Sequence, residues 1–223
     1  MENLLKKQFL SVINRHRNGM SPAWDIEPVV RFEDIDDNQF DIVDSKGTTG
    51  SIKRPFRHGT ASYINEQLTN PFELRFISYE DYLNQFVFDD GFGNSNRSMI
   101  PKIKRADFLV YNTCEEHKYF FVHELCVGDV ANKRATAIIQ LSSTLNLLYQ
   151  DSDIKSFIDS FSNKICYLSA KDGRKVELVS TPDNVADGFI QPYTINPEPA
   201  QILDKKFTKF GFEAYETSIV KLK

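Results

Sequence analysis

Two strongly apolar segments, residues 104–111 and 118–127, stand on either side of a short polar stretch, Asn112-Thr-Cys-Glu-Glu-His117. Aromatic and branched residues (Phe108, Val110, Phe120, Phe121, Val122) bracketing a polar turn predict a β-hairpin. Each segment carries one carboxylate well away from the turn, Asp107 in the first and Glu124 in the second. With the turn centred near Glu115, the register sets Asp107 opposite Glu124. Directly opposed side chains of an antiparallel pair share a face, with Cβ atoms about 4.5–5.5 Å apart. Two carboxylates that close repel each other unless something positive lies between them. The hairpin is too apolar to lie free in water, so an acidic pair within it needs a reason: either a cation lies between the carboxylates, or they are a water-separated pair with no function. Mg²⁺ or Mn²⁺ fits, because hard ions favour carboxylate oxygens, carbonyls and water.

Strand parity sorts the neighbours. Cys126 follows Glu124 by two residues and points to the same face, whereas His123 points to the other. His123 is therefore expected to be a packed, hydrogen-bonded residue rather than an acid–base catalyst. Cys126 reads as a buried, inert thiol rather than a nucleophile, since no histidine shares its strand face. A long helix is predicted over residues 129–149, with Asp129 as its cap. Ile138, Leu141, Leu145 and Leu148 form its buried stripe. Lys133 and Gln140 lie together on another face, with Thr144 nearby.

The order of these features, an aspartate, then a strand bearing Glu124-Leu-Cys126, then a helix, resembles the metal-binding core of the PD-(D/E)XK nuclease superfamily. The match covers the segment from Lys104 to Tyr149. Asp107 stands at the family's aspartate, Glu124 at the E of its E-x-K, and Cys126 where the lysine belongs. Ile100-Pro101 lies too far before Asp107 to supply the PD dipeptide. The resemblance implies a restriction-endonuclease-like core, a mixed central sheet flanked by helices in an α/β (α+β) fold, with an amino-terminal strand and helix extension. It also implies Asp107 and Glu124 as metal ligands, assisted by the Leu125 carbonyl. Gln140 matches the family's frequent glutamine on the following helix. Lys133 is the candidate for a lysine displaced onto that helix, with Arg134 second.

Elsewhere the chain is less specific. Leu4, Leu5, Phe9, Val12 and Ile13 recur at helical spacing, so a first helix is predicted over residues 2–17. Two strands, 28–32 and 39–43, are expected around the acidic turn 33–38, with a short third strand over 51–57. Residues 60–88 show mostly helical spacing, broken at Asn70-Pro71. The Gly- and Asn-rich stretch 89–96 reads as a loop and a candidate boundary, dividing 1–96 from a core over 97–223 unless the two form one domain. A helix over 154–161, a strand over 164–169 and a closing strand over 212–222 complete the expectation.

At 223 residues the chain is long enough to bury a proper core. Three scattered cysteines and four scattered histidines give no zinc or disulfide pattern. The amino terminus lacks the order of a secretory signal, and no apolar run suits a membrane span, so a cytoplasmic protein is expected. The net charge of −4 argues against a general nucleic-acid coat. The basic segments 53–58 and 102–105 leave room for local nucleic-acid contact. Three functions fit: a metal-dependent nuclease, a non-enzymatic module of the same fold that binds nucleic acid or protein, or an unrelated α/β interaction protein.

Overall fold

The computed structural model describes residues 1–7, 9–15, 27–44, 50–53, 59–67, 71–88, 97–98, 104–126, 130–170, 176–177, 193–194 and 199–223. In chain order the elements are α1 (Glu2–Lys7), α2 (Phe9–Arg15), β1 (Phe32–Ile35), β2 (Gln39–Val43), β3 (Ser51–Lys53), β4 (Ala61–Asn65), β5 (Leu74–Ser78), α3 (Tyr79–Asn84), β6 (Val87–Phe88), β7 (Arg97–Ser98), β8 (Phe108–Asn112) and β9 (Tyr119–Cys126). They continue with α4 (Val130–Leu148), α5 (Ser152–Asp159), β10 (Asn163–Ala170), β11 (Val176–Glu177), β12 (Tyr193–Thr194), β13 (Ala200–Gln201), α6 (Lys205–Thr208), β14 (Glu213–Glu216) and β15 (Ile219–Leu222). The fold is mixed α/β of the α+β kind.

A seven-stranded sheet runs in the order β1-β5-β8-β9-β10-β14-β13, and a four-stranded sheet in the order β15-β4-β2-β3. β6–β7 and β11–β12 form two short ribbons. The large sheet changes character at β9. From β1 to β9 its neighbours are antiparallel, whereas β9, β10 and β14 run parallel. A parallel neighbour needs a crossover, and α4 and α5 supply it between β9 and β10.

Alternation along β9 defines the layers. Phe120, Val122 and Cys126 pack with Leu141 and Leu145 of α4 and Ile158 of α5, while Tyr119, Phe121 and Leu125 pack with Phe40 and Tyr63 of the small sheet. Leu109 and Tyr111 of β8 likewise face the helices, and Phe108 and Val110 the small sheet. Helices, large sheet and small sheet thus form three layers around two apolar cores. Each fully buried Phe or Leu stabilises this arrangement by about 1.5–3 kcal/mol. Both faces of β9 are covered, which explains why its eight residues are all buried.

Several expectations need correction. Residues 60–88 are not chiefly helical, because β4 and β5 occupy most of the described part before α3. Leu74, Phe76 and Ile77 are buried on both faces of β5, and a run buried on both sides loses the alternation that marks a strand. β1 starts later than expected, and it does not pair with β2. β1 joins β5 in the large sheet, and β2 joins β3 and β4 in the small one. The closing segment is two strands, β14 in the large sheet and β15 in the small, bent apart at Thr217. Within the predicted first helix the described residues are helical, Glu2–Lys7 and Phe9–Arg15, and residues 8, 16 and 17 lie outside the described residues. The large and the small sheet each take strands from either side of residue 96. Asp129, the loop 89–96 and most of the two basic segments lie outside the described residues.

Candidate metal centre

The hairpin register agrees with the one read from the sequence. Phe108 faces His123 and Leu109 faces Val122, so one further step brings Asp107 beside Glu124. By parity both carboxylates face the helical layer, beneath α4. Asp107 is held at both ends. Its Oδ2 accepts from the Leu125 backbone N–H at 2.7 Å, and its carbonyl accepts from the N–H groups of Tyr79 and Glu80 at 2.9 and 3.3 Å. The first turn of α3 is therefore docked on the start of β8.

Glu124 is only 4% exposed, and its Oε2 is buried with no hydrogen-bond partner. That oxygen is a conspicuous debt, because a buried polar atom without a partner costs about 1–3 kcal/mol. Arg105, the cation before Asp107, is engaged with Asn84 and with Glu80, the latter at 3.4 Å.

The electrostatics follow from burial. Removal from water pushes the Asp107 carboxyl up to about 8, with the charges of Glu80 and Asp44 adding to it. Glu124 is held well above the usual carboxylate range, first by burial and then by Asp107, Glu80 and Asp44. Without a cation, both carboxyls therefore keep their protons to higher pH than an ordinary carboxylate does. Burial and the two carboxylates also push the Cys126 thiol up to about 12, with Lys133 pulling it the other way. A thiol in that state is a poor nucleophile.

Beside the pair is a cavity of about 270 Å³ lined by Asp44, Glu124, Leu125, Cys126, Lys133, Thr136 and Gln140. Strand β9 supplies one wall, α4 the opposite one, and the residue after β2 a third. Lys133 is exposed where α4 borders the cavity, while Gln140 is half-buried and donates through Nε2 to the Arg105 carbonyl at 3.0 Å. The Ala106 N–H donates to Thr144 Oγ1 at 2.9 Å, a second tie between α4 and the segment leading to Asp107. Arg134, the second choice for a displaced lysine, instead pairs with Glu216 at 2.9 Å. The structure thus brings Glu124, Cys126, Lys133 and Gln140 onto one cavity, with Asp107 beside Glu124.

His123 lies on the opposite face in a buried relay. Ser169 Oγ donates to the Thr217 carbonyl, so it accepts from His123 Nε2–H at 2.7 Å, and His123 Nδ1 accepts from the Tyr63 hydroxyl at 2.7 Å. Burial holds this imidazole neutral, with its pKa lowered to about 3. Its role is to tie the small sheet to β9 and β10.

Among the described residues, no three His, Cys, Asp or Glu side chains stand close enough together to hold an ion unaided. Two carboxylates still fit Mg²⁺, which commonly takes one or two such ligands and keeps several waters. The orphaned Glu124 oxygen supplies the matching local demand for positive charge. Asp44 and Glu80 escaped the sequence reading. Asp44 reaches the cavity only because the two sheets stack, which no local pattern reveals, and Glu80, in α3, meets the pair only through the docking of that helix on the start of β8. No helix among the described residues is long and apolar enough to cross a membrane. Comparison with protein-family models, curated proteins and solved structures returned no match.

Proposed function

We propose that this protein is a divalent-cation-dependent phosphodiesterase acting on DNA or RNA, a divergent relative of the PD-(D/E)XK nucleases with Cys126 in place of the strand lysine. One observation carries the reading: Glu124 Oε2 is buried without a partner beside Asp107, on a cavity that also receives Lys133 and Gln140. Asp107 and Glu124 would hold Mg²⁺ or Mn²⁺, with the Leu125 carbonyl and water as further ligands. Such an ion supplies an activated water and charge stabilisation at the scissile phosphate. Lys133, at the cavity's exposed side, is placed to meet a phosphate oxygen. Gln140 has its amide nitrogen engaged by the Arg105 carbonyl, so its amide oxygen is the end that can orient a water.

The test is Mg²⁺- or Mn²⁺-dependent cleavage of labelled single- and double-stranded DNA and RNA. Activity is expected to vanish in Asp107→Ala and Glu124→Ala. Undiminished cleavage by both variants removes the proposal. The missing strand lysine favours a second reading, a non-enzymatic module that binds nucleic acid or protein. That reading predicts no cleavage and no metal-dependent thermal shift, with salt-sensitive nucleic-acid binding if the partner is DNA or RNA.

A further inference from the structure

The residue that breaks the family pattern also changes the donor set of the cavity. Glu124 and Cys126 are two residues apart on β9, so they project to the same side of the sheet. Both line the cavity, both are buried, and the Glu124 oxygen beside the thiol has no hydrogen-bond partner. A lysine at position 126 would bring a fixed positive charge next to Glu124. A cysteine brings a sulfur donor, which has no affinity for Mg²⁺ but binds zinc, cobalt and cadmium well.

We infer that the cavity selects a borderline or soft divalent cation over Mg²⁺, with Cys126 Sγ and the Glu124 carboxylate as its two side-chain ligands. The inference rests on reading Glu124 as a cation ligand, and it departs from the proposed Mg²⁺ or Mn²⁺ site by setting Cys126 in place of Asp107 as the second side-chain ligand and by naming the class of cation. Water and the Leu125 carbonyl complete the shell, since no third acidic, thiol or imidazole side chain converges closely enough among the described residues. As the metal–sulfur bond forms, the thiol releases its proton to solvent, and any proton held by the Glu124 carboxyl leaves with it, so at least one proton leaves for each ion bound through sulfur. Asp107 Oδ2 stays on the Leu125 N–H, which fixes the strand segment between the two ligands.

The experiment is a Co²⁺ titration of the full chain, followed by near-ultraviolet absorption. A saturable thiolate-to-cobalt charge-transfer band is expected in the unaltered protein. It should disappear in Cys126→Ser and persist in Cys114→Ser, whose parent thiol is exposed and away from the site. Glu124→Gln should weaken cobalt binding by about an order of magnitude or more, the scale seen when groups supporting a metal are removed. Excess Mg²⁺ should fail to bleach the band, whereas Zn²⁺ should displace it. Cadmium NMR on the unmutated protein reads sulfur ligation directly, so the answer does not depend on any variant folding. A cadmium resonance typical of all-oxygen ligation, or a cobalt band that survives in Cys126→Ser, overturns the inference. Sulfur-bound cobalt with no nucleic-acid cleavage under any cation leaves it standing and removes the phosphodiesterase reading. Mg²⁺-driven cleavage at an unchanged rate in Cys126→Ser, with no cobalt band, does the reverse.

Discussion

Replacing Glu124 by Gln keeps the shape of the side chain and removes one ionisable group from the buried pair. In the folded protein Glu124 holds its proton well above the ordinary carboxylate range, whereas in the unfolded chain it ionises near 4.5. From pH 4.5 up to its raised native pKa, this site therefore binds up to one more proton in the native state than in the unfolded state. Stability must then fall as pH rises, by about 1.4 kcal/mol per pH unit for that group. The glutamine variant lacks this slope. Its stability relative to the parent should grow as pH rises from 5 to 7, by at most roughly 3 kcal/mol, or about 6–12 °C in melting temperature for a chain of this size. The contribution of His123 is common to both proteins and cancels in the difference. Thermal melts of the metal-free proteins in matched buffers are sufficient. Saturating Mn²⁺ should restore the parent at pH 7 and leave Glu124→Gln unmoved. A melting-temperature difference that stays constant from pH 5 to 7 refutes the buried, protonated glutamate, and with it the argument that the site demands a cation.

Three further outcomes follow from the same geometry. If Lys133 substitutes for the strand lysine, Lys133→Ala should reduce Mn²⁺-dependent cleavage by about two orders of magnitude, the usual scale for one transition-state contact, and adding Cys126→Lys should recover it; a double variant no better than the single one refutes the substitution. His123→Phe leaves the buried Tyr63 hydroxyl without its acceptor and Ser169 without a donor, so a loss of about 2–5 kcal/mol is expected in denaturant melts. In the parent, this imidazole also makes stability fall as pH drops from 6.5 toward about 3, because the unfolded state takes up a proton that the native state refuses. Asp41 is fully buried and accepts from the Gly59 N–H and the Ser62 hydroxyl, both at 2.6 Å, so Asp41→Ala should cost about 3 kcal/mol and loosen the small sheet, measurable by hydrogen exchange in β2 and β4.

The parts of this molecule that were legible in the sequence are those fixed by local periodicity. The β8–β9 register followed from one polar turn between two apolar runs, and α4 followed from Leu141, Leu145 and Leu148 at helical spacing. Those two elements carry Glu124, Lys133 and Gln140, which line one cavity. What stayed hidden depended on long-range stacking. The strand pattern of β5 was masked because Leu74, Phe76 and Ile77 are covered from both sides. Nothing near Val43 announces that the next residue, Asp44, will border a cavity formed by β9 and α4. Likewise, Phe212 to Leu222 reads as one strand until Thr217, whose hydroxyl accepts from the Ile219 N–H at 3.1 Å and helps turn the chain from one sheet to the other.

That last turn has a consequence for biosynthesis. β15 lies parallel against β4, with Ile219 beside Ser62 and Leu222 beside Asn65. The ribosome releases β4 on the order of ten seconds before β15, given ordinary elongation rates. Through that interval the antiparallel half of the large sheet can form, but the small sheet lacks its final strand. Tyr63 and Phe40 then wait without a complete layer around them. The small sheet is thus completed late, and the nascent chain carries its acidic hairpin through nearly half of its synthesis before β15 joins β4.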